Sequence, residues 1–416
     1  MRTVIVLGVL TLLTALARGV RIGVPAFPYF DELIYRKDAC QYLPLPGAGC
    51  TLPYAPTEVH PPLGKWLMAA GMRIFGDGPL GWRSAAVLAG VLSVAVLFIL
   101  ARRFMGLLPA TVAAFLWGLD PMHLTMSRIG MLEIYVPLFG LLAILCLVYA
   151  TDNRDRQRWG LWLLAGMSLG GSVATKWSGI FYVLLGLTYL LHIGQAEARQ
   201  GQALHPFDHA IRRYGGYALL FLVAVPLSVY VLSFAGRLDR TRSAPGEQTW
   251  VQAFMEEQSS MLRTHINLPG TNDLTSPAIG WPVGHGGFPM VDAEGREKAQ
   301  VNLASNPTLW VSGLSALLYI AITKLRSSAG GYLALAGFAW SYFPWLALFL
   351  IQEATMGTHR QAIYMYYYLP ALGFLYLGLG AVLSSLQGKR QLILASALCV
   401  YGLATTVFLY PQLTYA

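Results

Sequence analysis

Three features of this sequence predict an all-α, polytopic integral membrane protein. The 416 residues are 56% apolar, with a mean hydropathy of +0.52. Charged side chains make up only 12% of the chain, about half the ordinary share. The apolar residues gather in eleven runs, and Lys and Arg fall in the loops between alternate pairs of them. A large soluble enzyme does not carry so many runs of this length. Nucleic-acid binding is excluded as well: the net charge of +9 sits in short loops, with no arginine-rich arm or aromatic-interleaved basic tract.

The runs fall near residues 3–20, 80–101, 107–120, 131–150, 160–176, 179–194, 214–235, 307–323, 331–351, 364–386 and 391–410. The shorter ones imply tilt or burial inside the bundle. The first span, with Met1-Arg2 before it and Ala15-Leu16-Ala17 near its end, also imitates a signal peptide. A retained span is the preferred reading, because the polar segment behind it must be anchored close to the bilayer. Arg102-Arg103, Arg154 to Arg158, Arg199 to Arg213, Lys324 to Arg326 and Lys389-Arg390 mark cytoplasmic loops. The N-terminus is then cytoplasmic, and residues 21–79 and 236–306 are two large external segments. The chain divides into an N-terminal transmembrane catalytic module (1–235), an external cap (236–306) and a C-terminal four-helix module (307–416).

Within the first external segment, residues 63–75 carry an apolar face with Lys65 and Arg73 off it. That pattern predicts a helix lying in the membrane interface, begun by Pro61 and Pro62, where a missing N–H does no harm. Residues 236–306 contain Gly, Pro, Asn and Asp throughout and predict an irregular cap. Cys146 and Cys399 lie in apolar runs and read as packing residues. Cys40 and Cys50 would form a disulfide in an oxidising compartment and remain thiols otherwise.

In so weakly charged a chain, polar strings beside a span point to chemistry. Asp31 and Glu32 follow the first span, with Glu58 and His60 in the same segment. A carboxylate at the bilayer wall is placed to take a proton from a hydroxyl nucleophile. Carboxylate with imidazole is also a donor set for a divalent cation, although no tight ligand spacing supports one. Arg83, Arg128 and Lys176 lie near the external surface, where the positive-inside rule does not account for them. Each alone is explained by snorkelling; three converging with carboxylates fit an anionic ligand, phosphate above all.

Taken together, Phe30-Asp31-Glu32, Glu58-Val59-His60-Pro61-Pro62-Leu63-Gly64-Lys65, Arg83, Ser127-Arg128 with Met131-Leu132-Glu133, and Lys176-Trp177-Ser178-Gly179 resemble the protein O-mannosyltransferases. These are polyprenyl-phosphate-mannose-dependent enzymes of the GT-C membrane glycosyltransferase class. The likeness continues through Glu257-Gln258, Met261-Leu262, His265, Trp281-Pro282, Asn306-Pro307, Trp310, Arg360 and Tyr366-Tyr367-Tyr368-Leu369-Pro370, in order along nearly the whole chain. Glu58 and Glu133 stand where the family usually has Asp. Residues 236–306 are too few for the β-trefoil MIR domains of eukaryotic members, which favours a prokaryotic one.

The resemblance implies a GT-C fold and inverting transfer of mannose from polyprenyl-phosphate mannose to Ser or Thr hydroxyls of unfolded exported proteins. It places the enzyme in a prokaryotic plasma membrane with its site facing outward and in contact with the translocation channel. Asp31 is the expected base and Glu32 its catalytic neighbour. His60, Lys65, Arg83, Arg128, Glu133, Lys176 and Arg360 are expected around the donor phosphate and sugar, with Glu58, His265 and Trp281 supporting the site or the acceptor. No metal ligands are assigned. A GT-C transferase acting on a lipid or cell-wall glycan is the nearer alternative. A transporter or flippase is the more distant one, because the charge gathers at one surface rather than at midplane broken helices.

Overall fold

Every one of the eleven apolar runs is helical in the computed structural model, which describes residues 1–43, 59–152, 158–201, 205–235, 249–267, 275–290, 301–356 and 363–414. In chain order the helices are α1 (Arg2–Gly19), α2 (Glu32–Cys40), α3 (Leu63–Phe75), α4 (Pro79–Phe104), α5 (Leu107–Leu119), α6 (Pro121–Arg128), α7 (Tyr135–Ala150) and α8 (Trp159–Thr175). They continue with α9 (Ile180–Gln200), α10 (Pro206–Tyr217), α11 (Val225–Ser233), α12 (Trp250–Asn267), α13 (Pro307–Ile322), α14 (Ala329–Met356), α15 (Leu369–Ser385) and α16 (Gly388–Thr414). A π-helical stretch, Ala218–Ala224, joins α10 to α11. Among the described residues seven helices are long and apolar enough to cross a membrane, and α5, α7 and α13 are shorter apolar helices.

Local chemistry sets the helix starts. Proline occupies the first turn of α4, α6, α10, α13 and α15, where its missing N–H has no intrahelical partner to lose. Asp120 caps α6 by accepting from the Met122 and His123 amides at 2.9 and 3.2 Å, and Asn306 caps α13 through the Leu309 amide. Helix α3 confirms the helix expected over 63–75. Helices α2, α6 and α12 were not expected. The cap therefore contains an 18-residue helix, α12, together with a short antiparallel pair, Phe288–Met290 and Val301–Leu303, in the register Phe288 to Leu303. Cys40 is disulfide-bonded; Cys50 lies outside the described residues.

Burial ranks the spans. The apolar window of Met365–Ser385 is 78% buried and that of α4 56%, whereas those of α1, Pro206–Ser233 and Gly388–Leu413 are each 17% buried. Helix α15 is thus the central post, packed on α5, α13 and α14, while α4 packs on α1, α3, α5 and α7. A buried polar chain links the two halves. Asp120 Oδ2 accepts from Trp310 Nε1 at 2.7 Å and from the Tyr376 hydroxyl at 2.6 Å. Nearby, Arg18 donates to Ser127 Oγ and to the Gly118 carbonyl and meets His123 Nδ1, and His123 Nε2 lies 2.9 Å from Ser93 Oγ. Groups left unmet in an apolar interior are costly, so the Asp120 bonds fix α6 against α13 and α15, and the Arg18 and His123 bonds fix α1 and α4 against α6.

Candidate active site

The turn before α2 aims Asp31. Phe30 is held at φ +45°, a conformation that L side chains adopt at a cost and that persists where the surroundings impose it. Asp31 then sits at the head of α2, with the Tyr35 hydroxyl, one turn later, donating to its Oδ2 at 3.4 Å. Burial pushes the Asp31 carboxyl up to about 6, and the negative charge of Glu133 adds to the rise, while Lys176 and the Tyr35 bond oppose it. A carboxyl poised there is ionised at neutral pH and still basic enough to accept a proton.

Glu32 points the other way and is fully used. Arg83 grips it with Nε on Oε1 at 2.8 Å and Nη2 on Oε2 at 2.9 Å. The Tyr29 and Gly130 amides donate to the same two oxygens at 3.0 and 2.7 Å. Arg83 also donates to the carbonyls of Ile22, Pro25 and Phe27, so all five of its N–H groups are committed. The pair therefore clamps the segment leading to Asp31 rather than presenting charge to a ligand. Gly130 is needed for the close approach: a Cβ there would stand 2.8 Å from Met68 Cε and 3.1 Å from Glu32 Cγ.

The structure gives Lys65, Arg128 and Trp281 partners within the protein. Lys65 Nζ lies 2.6 Å from Asp38 Oδ2, both side chains being almost inaccessible, and ties α3 to α2. Arg128 donates through Nη1 to the Ala17 and Arg18 carbonyls, closing the C-terminal end of α1, where carbonyls lack helical partners. Trp281 is completely buried and donates to Ser276 Oγ, so it braces the cap and offers no surface to an acceptor. Glu58 and Arg360 lie outside the described residues.

Arg83 and Arg128 border a small cavity of about 10 Å³, whereas Lys176 borders a separate and roomier one. Lys176 ends α8, pairs with Glu133 Oε1 and lies over the Tyr367 and Tyr366 rings at 4.9 and 5.8 Å. The roomier cavity holds about 220 Å³ and is lined by His60, Lys176, Trp177, Ser178, Leu262, His265, Ile266, Trp345 and Tyr367. Glu133 Oε2 is buried with no hydrogen-bond partner among the described residues. Burial and the positive charge of Lys176 hold His60 well below the usual imidazole range, so it is neutral. The His265 ring lies 5.4 Å from that of His60, and its Nε2 bonds the Val59 carbonyl at 2.7 Å, pinning α12 to the His60 turn. With a carbonyl as its partner, Nε2 carries the proton.

The site thus brings together Asp31, Tyr35, His60, Glu133, Lys176 and His265, and leaves Glu32, Lys65, Arg83, Arg128 and Trp281 as braces. Ile266 and Trp345 are lining residues that sequence reasoning did not name, and Tyr367 entered only within the Tyr366-Tyr367-Tyr368 string; Tyr35, which bonds Asp31, carried no signal of its own. Among the described residues no three His, Cys, Asp or Glu side chains gather to hold a metal ion. An ammonium group and a neutral imidazole lining an open-sided cavity, with the Asp31 carboxylate near that ammonium, suit attack by a hydroxyl with departure of an anion.

Two family patterns match the chain in succession. That described as dolichyl-phosphate-mannose-protein mannosyltransferase covers residues 59–230, and the C-terminal four-TMM region of protein-O-mannosyltransferase covers 250–416. Among curated relatives, the polyprenol-phosphate-mannose–protein mannosyltransferase of Mycolicibacterium smegmatis is 27% identical over 98% of this chain and 88% of its own length. The protein of the same name from Mycobacterium tuberculosis is 28% identical over 99% and 88%. In fold, the chain is similar to the S. cerevisiae protein O-mannosyltransferase Pmt1–Pmt2 complex bound to the sugar donor. The TM-score is 0.76 at 14% identity, over 100% of this chain and 90% of that one. It is similar too to ArnT from Cupriavidus metallidurans bound to undecaprenyl phosphate, with a TM-score of 0.57 at 16% identity, over 95% and 63%.

Proposed function

The chain belongs to the protein O-mannosyltransferase family, and from that premise we propose that it transfers mannose from polyprenyl-phosphate mannose to Ser or Thr hydroxyls of exported, unfolded proteins at the external face of the membrane. The observation that carries the reading is the placement of Asp31. Its carboxyl sits with Tyr35 near Glu133 and Lys176, at a turn held by the Glu32–Arg83 clamp.

The acceptor hydroxyl gives its proton to the Asp31 carboxylate as its oxygen attacks the anomeric carbon opposite the phosphate. One carbon–oxygen bond forms, the bond to the phosphate oxygen breaks, and the electron pair leaves with polyprenyl phosphate. A single displacement inverts the anomeric centre. The charge growing on the departing phosphate faces Lys176, a fixed cation in a poorly hydrated cavity, where such a contact is worth far more than in water. Glu133 holds Lys176 in place and leaves Oε2 to accept a hydroxyl of the sugar. Neutral His60 hydrogen-bonds without adding charge. On this reading the chain crosses the membrane eleven times with Lys- and Arg-rich loops inside, and the cavity faces outward, beside nascent chains leaving the translocation channel.

A reconstitution tests the reading. Purified protein in nanodiscs, given polyprenyl-phosphate mannose and a flexible threonine peptide, should yield α-mannosyl peptide from a β-linked donor. Transfer only to a glycolipid or a cell-wall glycan would overturn protein O-mannosylation while leaving the chemistry at Asp31 in place.

A further inference from the structure

The backbone at Phe30 is bent against its preference. Its φ of +45° falls in a region that a bulky L residue enters only when neighbours hold it there, and Asp31 is the next residue. Whatever holds the Phe30 ring therefore also sets the direction in which the Asp31 carboxyl leaves the chain. That hold comes from the far end of the sequence. The Phe30 ring meets Tyr364 edge-on at 5.8 Å and Tyr366 edge-on at 6.2 Å. Tyr364 and Tyr366 are stacked on each other, 5.1 Å apart and 12° from parallel. Edge-to-face and stacked pairs of this kind add to what burial alone supplies.

Tyr366 belongs to a 3-10 turn, Met365–Tyr368, that runs directly into α15, the central post. It is only 1% exposed, so packing fixes its ring. The same ring adjoins the cation. Lys176 Nζ lies 5.8 Å from the centre of the Tyr366 ring and 4.9 Å from that of Tyr367, and these two rings meet edge-on at 5.0 Å. One buried ring thus borders both the turn that aims Asp31 and the ammonium group of Lys176.

We propose that Tyr366 is a positioning residue for the transfer: its ring is the spacer that sets the distance and angle between the Asp31 carboxylate and the Lys176 ammonium group. The inference rests on the reading of Asp31 as the base and Lys176 as the cation facing the departing phosphate. A single displacement needs the attacking oxygen, the anomeric carbon and the phosphate oxygen in line, so base and cation must keep a fixed separation. They are carried by different elements, the head of α2 and the end of α8, and a rigid body between them holds that separation. Such a spacer matters when charge moves, so its loss lowers kcat and leaves ground-state affinity for the phosphate in place.

Variants in the reconstituted transfer assay test it. Tyr366→Leu should lower kcat about 10- to 100-fold, while affinity for polyprenyl phosphate, measured by competition, stays within about threefold. Tyr366→Phe keeps the ring and should hold kcat within about threefold of the wild type. Phe30→Leu should cost a factor similar to Tyr366→Leu, and the two together little more than either alone, because both break one bracket. In an Asp31→Asn background Tyr366→Leu should have no further effect, since the group it positions is gone. A fall in phosphate affinity in step with kcat, a Tyr366→Phe variant as slow as Tyr366→Leu, or losses that multiply in either double variant would overturn the proposal. Should Tyr366→Leu fail to fold, Tyr364→Leu paired with Phe30→Leu reads the same bracket by the same criteria. Asp31→Asn alone separates the two readings: near-normal turnover removes the base and the spacer with it, whereas a low rate with multiplying losses removes only the spacer.

Discussion

Replacing Glu133 with glutamine should move the acid limb of the pH–rate profile to lower pH. Asp31 acts as a base only when ionised, and burial with the nearby Glu133 charge holds its carboxyl at about 6 instead of 3.8. In the wild type kcat/KM should therefore climb with pH and level off above neutrality. At pH 5 roughly one-tenth of the carboxyl is ionised, so the rate should be about tenfold below its plateau. Glu133→Gln removes the anion that opposes ionisation and leaves the attraction of Lys176 unopposed, and both changes favour the carboxylate. The limb must then shift downward. The assay is initial-rate transfer of radiolabelled mannose to a threonine peptide across roughly pH 4.5 to 8. His60, held well below its ordinary range, does not generate this limb, so His60→Gln should leave its position unchanged. Asp31→Asn should lower the plateau by about two to four orders of magnitude. A limb that stays put or rises in Glu133→Gln, or near-normal turnover by Asp31→Asn, would refute the assignment.

Arg83→Ala should act on stability, because it strands the buried Glu32 carboxylate at a cost of about 3–5 kcal/mol. Thermal unfolding in detergent should fall sharply, whereas selective loss of donor affinity in a stable variant would return Arg83 to the phosphate. Lys176→Ala should weaken donor binding by about 1.5–3 kcal/mol, or roughly 10- to 150-fold, measured by competition with polyprenyl phosphate. Topology reporters fused after residues 157, 205 and 388 should read cytoplasmic and those near 45 and 270 external; an external signal at 157 or 205 would change the crossing count and the face of Asp31.

Helices were legible from the sequence wherever a long apolar run or an amphipathic stretch announced them, as over 63–75. The cap helix α12 escaped because neighbouring Gly, Pro and Asn masked the spacing of Trp250, Phe254, Met261 and Leu262. Site residues were legible as a set but not by role. Arg83 and Glu32 are 51 positions apart, and a sequence does not reveal that each consumes the hydrogen-bonding capacity of the other. Three cations near one surface looked alike as phosphate ligands; only the structure shows that their partners differ, Glu32 and backbone carbonyls for Arg83, carbonyls of α1 for Arg128 and Glu133 for Lys176. Lys65 was hidden in the same way by Asp38, which carries no motif.

The bonds that Asp120 makes have a bearing on how the protein is assembled. Its Oδ2 oxygen is satisfied by Trp310 and Tyr376, and the latter is synthesised 256 residues later. At ribosomal speeds of about 5–20 residues per second, the N-terminal module waits roughly 10–50 s with a carboxylate oxygen unmet in an apolar setting. During that interval the Asp120 oxygen lacks these two partners, and arrival of the C-terminal helices satisfies it. A chain truncated before Trp310 keeps that defect permanently and should be cleared faster than one in which Asp120 is also replaced by Ala.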